Sequence, residues 1–441
     1  MAASRDEVLR CGYRNMGTTA SAARWWRITP VLFITYSFAY LDRVNYSFAA
    51  AGGIGRDLGI SASTASLIGA LFFLGYFVGQ IPGAIYAERR SAKRIVFWCL
   101  ILWGALSALT GVVSNIPALM AVRFLLGVVE AGVFPALVIF VSRWFARGER
   151  SFANSFITLS TPVTVLWMSI VSGYLVEAYG WRAMFVIEGV PASLWAIGWW
   201  YFVQDRPSEA SWLDPAERAA LEAKIAEEQQ GIKAVRNYGA AFRSPAVIRM
   251  AVLYFFWGLS LFGFVLWLPT IIKDAGSANI VRTGWLSAGP YVFASILMPI
   301  VSMTSDRMRD RRLIVLPCIG ASGAAFLALY AVHGSNFWIS YALLCVAGIG
   351  PIVALAPFFA IPADILPQNV AGGAVALINS MGALGGFLGS YLVGWFNGLT
   401  HNPSSSFLLM GVSLAVATAL LAVRSGAPTN SVPQTSSLST V

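Results

Sequence analysis

Charge is scarce in this chain. Asp, Glu, Lys and Arg make up only 11% of its 441 residues, while hydrophobic types reach 57%. A soluble globular domain carries about a quarter charged residues, so an ordinary water-soluble fold is excluded. Histidine is scarcer still. His333 and His401 are the two present, and both fall in expected outer loops. A buried histidine proton relay is therefore excluded, and any proton handling is left to carboxylates. The four cysteines, Cys11, Cys99, Cys318 and Cys345, are scattered without metal spacing. Neither a disulfide framework nor a zinc site is supported. No Walker sequence, nucleotide-binding glycine pattern or HExxH stretch occurs, so no cofactor or metal is expected. An ion gradient remains as the source of energy. No cleavable signal peptide is expected, because the first apolar run is full-length and others follow it.

Long apolar runs are abundant. A helix needs about 20 residues to cross the hydrocarbon core. Twelve such segments are expected, at 28–51, 63–87, 95–113, 116–141, 151–175, 183–203, 247–272, 283–304, 313–332, 336–361, 370–397 and 405–423. They fill the chain and leave no room for a soluble catalytic domain. The expected organisation is a tail at 1–27, a six-helix bundle at 28–203, a linker at 204–246, a second six-helix bundle at 247–424 and a disordered Ser/Thr/Pro-rich tail at 425–441. In the linker, Asp214-Pro215-Ala216-Glu217 reads as a helix start, with Asp as N-cap, Pro at N1 and Glu at N3. Duplicated halves are common in secondary transporters, whose substrate sites lie between them.

The net charge of +10 is a statement about topology. Apart from Arg43 and Arg123 inside spans, and Arg56, Arg182, Lys273 and Arg282, the basic residues fall in the N-terminal tail and alternate loops. The positive-inside rule then places both termini in the cytoplasm, and no nucleic-acid partner is needed.

Four charges lie inside spans: Asp42 and Arg43 in the first, Arg123 and Glu130 in the fourth. Ionisable groups at membrane depth are costly and read as functional by default. Arg123 and Glu130 are two helical turns apart, about 10.5 Å along one face. Asp42 and Arg43 point about 100° apart and cannot satisfy each other. Cross-pairing of Asp42 with Arg123 and of Glu130 with Arg43 is expected, since the arginine fork suits a carboxylate. A carboxyl that pairs with an arginine only when substrate is absent would couple protons to an anion. Tyr40, Tyr76, Thr161 and Asn379 are further substrate candidates, Tyr76 because it lies at mid-span, where an interface anchor does not belong. Glu188 is expected near the outer end of span six as a structural partner for a loop group. Gly382, Gly385, Gly386 and Gly389 are expected to let helices approach closely.

These residues carry a resemblance. The chain resembles the major facilitator superfamily over nearly its full length, and within it the anion:cation symporters, a bacterial group of tartrate, hexonate, hexuronate and aromatic-acid carriers. The stretches concerned are Tyr40-Leu-Asp-Arg-Val-Asn45, Gly75-Tyr-Phe, Pro82-Gly-Ala-Ile-Tyr-Ala-Glu-Arg89, Arg123-Phe-Leu-Leu-Gly-Val-Val-Glu-Ala-Gly132, Ile187-Glu-Gly-Val-Pro-Ala192, Asp205-Arg-Pro and Trp267-Leu-Pro-Thr-Ile-Ile-Lys273. The resemblance implies an all-α membrane fold and import of a small organic anion with protons by alternating access. It implies an inner-membrane protein, by default monomeric. Asp42 and Glu130 match the family's proton-coupling carboxylates. Arg43 and Arg123 match its substrate and charge-relay arginines, and Tyr40, Tyr76 and Asn379 match substrate-contacting positions.

The chain also departs from the pattern. Glu88-Arg89-Arg90 lacks the usual following glycine. Thr158, Ser160, Thr161 and Thr164 stand in span five, where some sugar-acid carriers place a glutamine that binds hydroxyls. An exchanger or uniporter for the same anions is the alternative. A membrane enzyme would need clustered catalytic groups, and a receptor an output domain; neither pattern is present.

Overall fold

The computed structural model describes residues 22–229, 243–276, 279–308, 310–332, 336–365, 368–400 and 404–423. Among them there are helices and no strands. Cys11, His333, His401, Arg424, most of the expected N-terminal tail, residues 230–242 of the linker and the C-terminal tail lie outside the described residues.

The helices are α1 (Ala22–Gly52), α2 (Ala62–Arg89), α3 (Ala92–Val112) and α4 (Ile116–Trp144). A continuous run, Arg147–Phe202, then turns at Gly180, giving α5 (147–179) and α6 (181–202). After the linker come α7 (Pro245–Asp274), α8 (Ile280–Asp306), α9 (Arg312–Ala331), α10 (Phe337–Pro362), α11 (Gln368–Thr400) and α12 (Ser404–Ala422). Ten described helical runs are long and apolar enough to cross a membrane. The 51-residue run Phe152–Phe202 among them is long enough for two crossings. α1 has 31 residues and is long enough too, but Asp42, Arg43 and Asn45 dilute its apolarity. With that run counted twice and α1 added, twelve helices of spanning length are found among the described residues.

Several starts follow from local chemistry. The side chains of Ser61, Ser91, Asn115 and Asn279 cap α2, α3, α4 and α8 by accepting backbone N–H bonds. Between α5 and α6 the chain reverses at Gly180, whose φ of 79° suits glycine and strains any other residue. The expected linker helix forms over Pro215–Gln229, with Asp214 Oδ1 accepting from the Ala216 and Glu217 amides at 2.9 and 3.3 Å.

Two layers of close helix packing position the site. α2 lies against α4 with backbone nearly touching backbone. A Cβ at Gly75 would meet the Phe124 carbonyl oxygen, and one at Gly127 the Phe72 carbonyl oxygen. α7 and α11 repeat this in the second half, where Gly385 faces the Phe255 carbonyl and Gly389 that of Leu259. The expected role of that glycine stretch is thus met. α1 and α3 pack on the α5–α6 run, and α9 packs on α10 and α12.

The halves meet along α2–α11, α5–α8 and α1–α7. The face reached by the 203–244 interruption is termed the linker face, the opposite one the far face. Close approaches between halves occur at the far face, where Lys273 Nζ donates to the Ala51 carbonyl at 2.5 Å. A Cβ at Gly173 would come 3.0 Å from the Ile280 carbonyl oxygen. Deeper in, Phe73 of α2 and Phe262 of α7 pack with centroids 4.6 Å apart. Large apolar side chains such as Leu102, Leu194, Ile197, Ile296 and Ile300 remain exposed around the bundle. In water so large an apolar surface is untenable, whereas lipid covers it.

Candidate functional site

α1 and α4 bring their charges together in the interior. Arg43 donates through Nε and Nη2 to Glu130, both at 2.7 Å. Both bonds go to Oε1, so the parallel two-oxygen fork expected from the sequence is not formed, and Glu130 Oε2 is buried without a partner. The α4 helix is interrupted here, at Ala131 and Gly132, directly after Glu130. Aromatic rings surround the pair: the Arg43 guanidinium lies 4.5 Å from the Tyr76 ring centroid, 5.1 Å from that of Tyr40 and 5.9 Å from that of Phe72. Such faces attract a cation by their quadrupole. Tyr36 extends this lining beyond Tyr40, at 6.2 Å.

The second half reaches the same place through α11. Asn379 lies beside the Tyr76 hydroxyl. Its neighbour Ser380 has its hydroxyl between Gln80 Oε1 of α2, at 3.1 Å, and the Ala376 carbonyl, at 2.9 Å. Tyr40, Arg43, Tyr76, Glu130 and Asn379 therefore form one group across both halves.

The expected Asp42–Arg123 pair is absent. Asp42 Oδ1 accepts instead from Asn45 Nδ2 at 2.9 Å and from the Ser107 hydroxyl, while Oδ2 is buried without a partner. Arg123, 1% exposed, has Nε and Nη1 buried without partners. Its guanidinium rests over Tyr46, 4.8 Å from the centroid, and Phe72, at 5.4 Å. The reason is register. Arg123 lies two turns from Glu130 toward the far face, level with Tyr46 rather than with Asp42, which is one turn away along α1. Tyr46 is itself fixed by donating its hydroxyl to the Ala65 carbonyl at 2.6 Å.

Thr161 is buried on α5, but no described contact joins it to the Arg43 group. Glu188 also departs from expectation. It is 4% exposed, two turns inside α6, where it accepts from Ser172 Oγ at 2.7 Å and lies beside Asn45. It serves no loop. The expected span began at 183, which put Glu188 too close to the membrane edge; the helix begins earlier. Asn45 is not singled out by the sequence, although it stands about one turn on from Asp42. Ser107 and Ser172 carry no signal in sequence, since lone serines are common in packed apolar helices.

On the linker face a second polar group ties helix ends together. Asp205 accepts from Arg143 Nη1 at 3.3 Å, from the Lys93 amide at 3.0 Å and from the Ser91 hydroxyl. Arg143 Nη2 also donates to the Ala87 and Glu88 carbonyls, each at 3.1 Å. Arg24 pairs with Glu149 at 2.7 Å.

A sequence profile of the Major Facilitator Superfamily matches residues 32–390 and, again, 277–439. The chain belongs to that superfamily. A protein of Agrobacterium vitis, provisionally named a tartrate transporter, is 33% identical over 408 residues, 90% of each chain. A quinolone resistance transporter of Acinetobacter baumannii is 28% identical over 402 residues, 88% of this chain and 90% of that protein. In fold, the chain resembles the crystal structure of a D-xylose-proton symporter with a TM-score of 0.73, covering 90% of this chain and 97% of that one at 15% identity. This facilitator is a multi-pass membrane transporter and not an enzyme.

Proposed function

We propose that this facilitator imports a small organic carboxylate together with protons. One observation carries the reading: Arg123 is held buried with unsatisfied N–H groups, on the same helix as Glu130, which forms a buried ion pair with Arg43 of α1. Leaving buried donors unpaired costs about 1–3 kcal/mol each, and an anion is the partner that removes the cost. A substrate carboxylate binds Arg123 as its anchor. Protonation of Glu130, at the oxygen that Arg43 leaves free, releases Arg43 to bind a second carboxylate or hydroxyl. Asp42 is the second proton-coupling group. Tyr40, Tyr76 and Asn379 line the substrate, and Thr161 enters the lining only after α5 moves. With the cations engaged by substrate and the carboxyls neutral, the two six-helix halves alternate about the α2–α11 and α5–α8 contacts.

The tartrate name of the Agrobacterium relative supports a carboxylate. The quinolone name of the Acinetobacter relative also fits a carboxylate, since quinolones bear one on an aromatic ring, and the rings about Arg43 would suit it. The basic linker face lies in the cytoplasm with both termini, in a bacterial inner membrane, and one chain suffices for transport.

The test uses purified protein in liposomes, an inward proton gradient, and a panel of tartrate, hexonates, hexuronates, C4-dicarboxylates, phthalate, hydroxyphenylacetate and a quinolone. Gradient-dependent accumulation of one class is expected. Glu130→Gln should abolish accumulation while still exchanging substrate. If the wild type only equilibrates the acids, the exchanger or uniporter reading replaces symport.

A further inference from the structure

Proton coupling through Asp42 and Glu130 leaves one buried acid without a role. Glu188 has one oxygen bonded by Ser172, while Oε2 is buried without a partner. As a purely structural group it would be a poor choice, because a glutamine fills the same space and brings its own donors.

The surroundings sharpen the problem. Asn45, wholly buried, donates to Asp42 and lies within hydrogen-bonding reach of Glu188, and its Oδ1 has no partner. Asp42 Oδ2 has none either. Three buried oxygens, on Asp42, Asn45 and Glu188, thus make no hydrogen bond, although the Asn45 amide lies within reach of Glu188. Acceptors do not satisfy one another, and an O–H on one of the two carboxyls is the donor this cluster can supply for itself. The charged groups facing it are Arg123 and Glu130 on α4, with Arg43 next to Asp42 on α1. The hydroxyls come from Ser107 on α3 and Ser172 on α5.

Depth orders the acids. At 1.5 Å per residue, Glu188 and Asn45 lie about 10 Å below the far-face ends of their helices, Asp42 about 15 Å and Glu130 about 21 Å. Counted along their helices they deepen from Glu188 to Asp42 to Glu130, and each acid lies within electrostatic reach of the next.

We infer that Glu188 is a proton relay between the far face and Asp42, held by Asn45 and Ser172. The inference rests on the symport reading above. In the step, the O–H bond on Glu188 breaks as one forms on Asp42. The carboxylate left on Glu188 is reset by a proton from the far face. No other reactant takes part.

Wild type, Glu188→Gln and Glu188→Asp, each full-length and in liposomes, are compared in two assays with radiolabelled tartrate: proton-driven accumulation and tartrate–tartrate exchange. The glutamine preserves shape and the acceptor for Ser172. The expected result is a loss of accumulation far larger than any loss of exchange, with the aspartate variant recovering part of it. Glu188→Gln matching wild type in both assays, or losing both in equal proportion as a structural residue would, overturns the relay. So does accumulation that follows sodium rather than pH. Wild type that exchanges without accumulating removes symport itself, a separate failure. A second readout needs no substrate. On acidification, infrared difference spectra of Glu188→Gln should lack one protonated-carboxyl carbonyl band, and an unchanged spectrum refutes the inference.

Discussion

Replacing Arg123 with methionine should make the protein more stable and transport-dead. The side chain is 1% exposed, and among the described residues no ion pair holds it. Two of its N–H groups have no partner, at about 1–3 kcal/mol each. Against this stand its contacts with the Tyr46 and Phe72 faces, about 0.5–2 kcal/mol when desolvated. Asp42 also loses a nearby positive charge, which takes back part of the gain. Methionine keeps the stem's packing and adds sulfur–aromatic contacts of about 0.3–1.5 kcal/mol. The balance favours the variant by about 1–3 kcal/mol, a rise of a few degrees in melting temperature for a large chain. Thermal unfolding in detergent, followed by tryptophan fluorescence, measures the first half, and uptake into liposomes the second. A melting temperature at or below wild type would mean that Arg123 has a stabilising partner in the resting protein. Retained uptake would mean that it does not anchor substrate. Either result sinks the reasoning.

Tyr76→Phe keeps the ring over Arg43 and removes the hydroxyl beside Asn379. An increase in KM of about tenfold or less, with kcat little changed, is expected, and an unchanged KM removes Tyr76 from the substrate lining. Gly127→Val places a side chain against the Phe72 carbonyl and forces α2 from α4. It should cost at least the roughly 1–3 kcal/mol of an overpacked core, and wild-type melting would show that this helix contact is looser than described. Arg43→Gln leaves Glu130 buried without its ion-pair partner; breaking such a pair from one side costs about 3–5 kcal/mol. Lower melting at neutral pH than at acid pH is expected, and a pH-independent loss would argue that Glu130 is already neutral.

Much of this arrangement was legible in sequence, and the limits have physical causes. Span length follows from bilayer thickness, so eleven of the helices could be placed by apolarity and the charge-diluted α1 by its apolar flanks. The Arg43–Glu130 pair was legible because both charges needed a partner and no other base lay at that depth. The pairing of Asp42 was not. Which side chain an acid finds depends on helix rotation and axial offset, and these are set by glycine contacts such as Gly75 on Phe124 and Gly127 on Phe72. Arg123 stands at the level of Tyr46, and Asp42 is left to Asn45 and Ser107.

The distribution of charge sets what the second half must do. Among the described residues the buried charges, Arg24, Asp42, Arg43, Arg123, Glu130 and Glu188, all belong to the first half. The second half meets them through neutral groups: Asn379 beside Tyr76, Ser380 against Gln80, and Phe262 on Phe73. A protonation event on Glu130 therefore cannot act on α11 by direct ion pairing. In the proposed symport it would act by changing what Arg43 holds, with Tyr76, whose ring lies 4.5 Å from Arg43 and whose hydroxyl lies beside Asn379, as the link to α11. On that reading, coupling between proton and conformation would run through one aromatic ring and one amide. Neutral contacts of this strength can be made and broken in each cycle at a cost of about 1 kcal/mol, where a buried ion pair across the same interface would lock it.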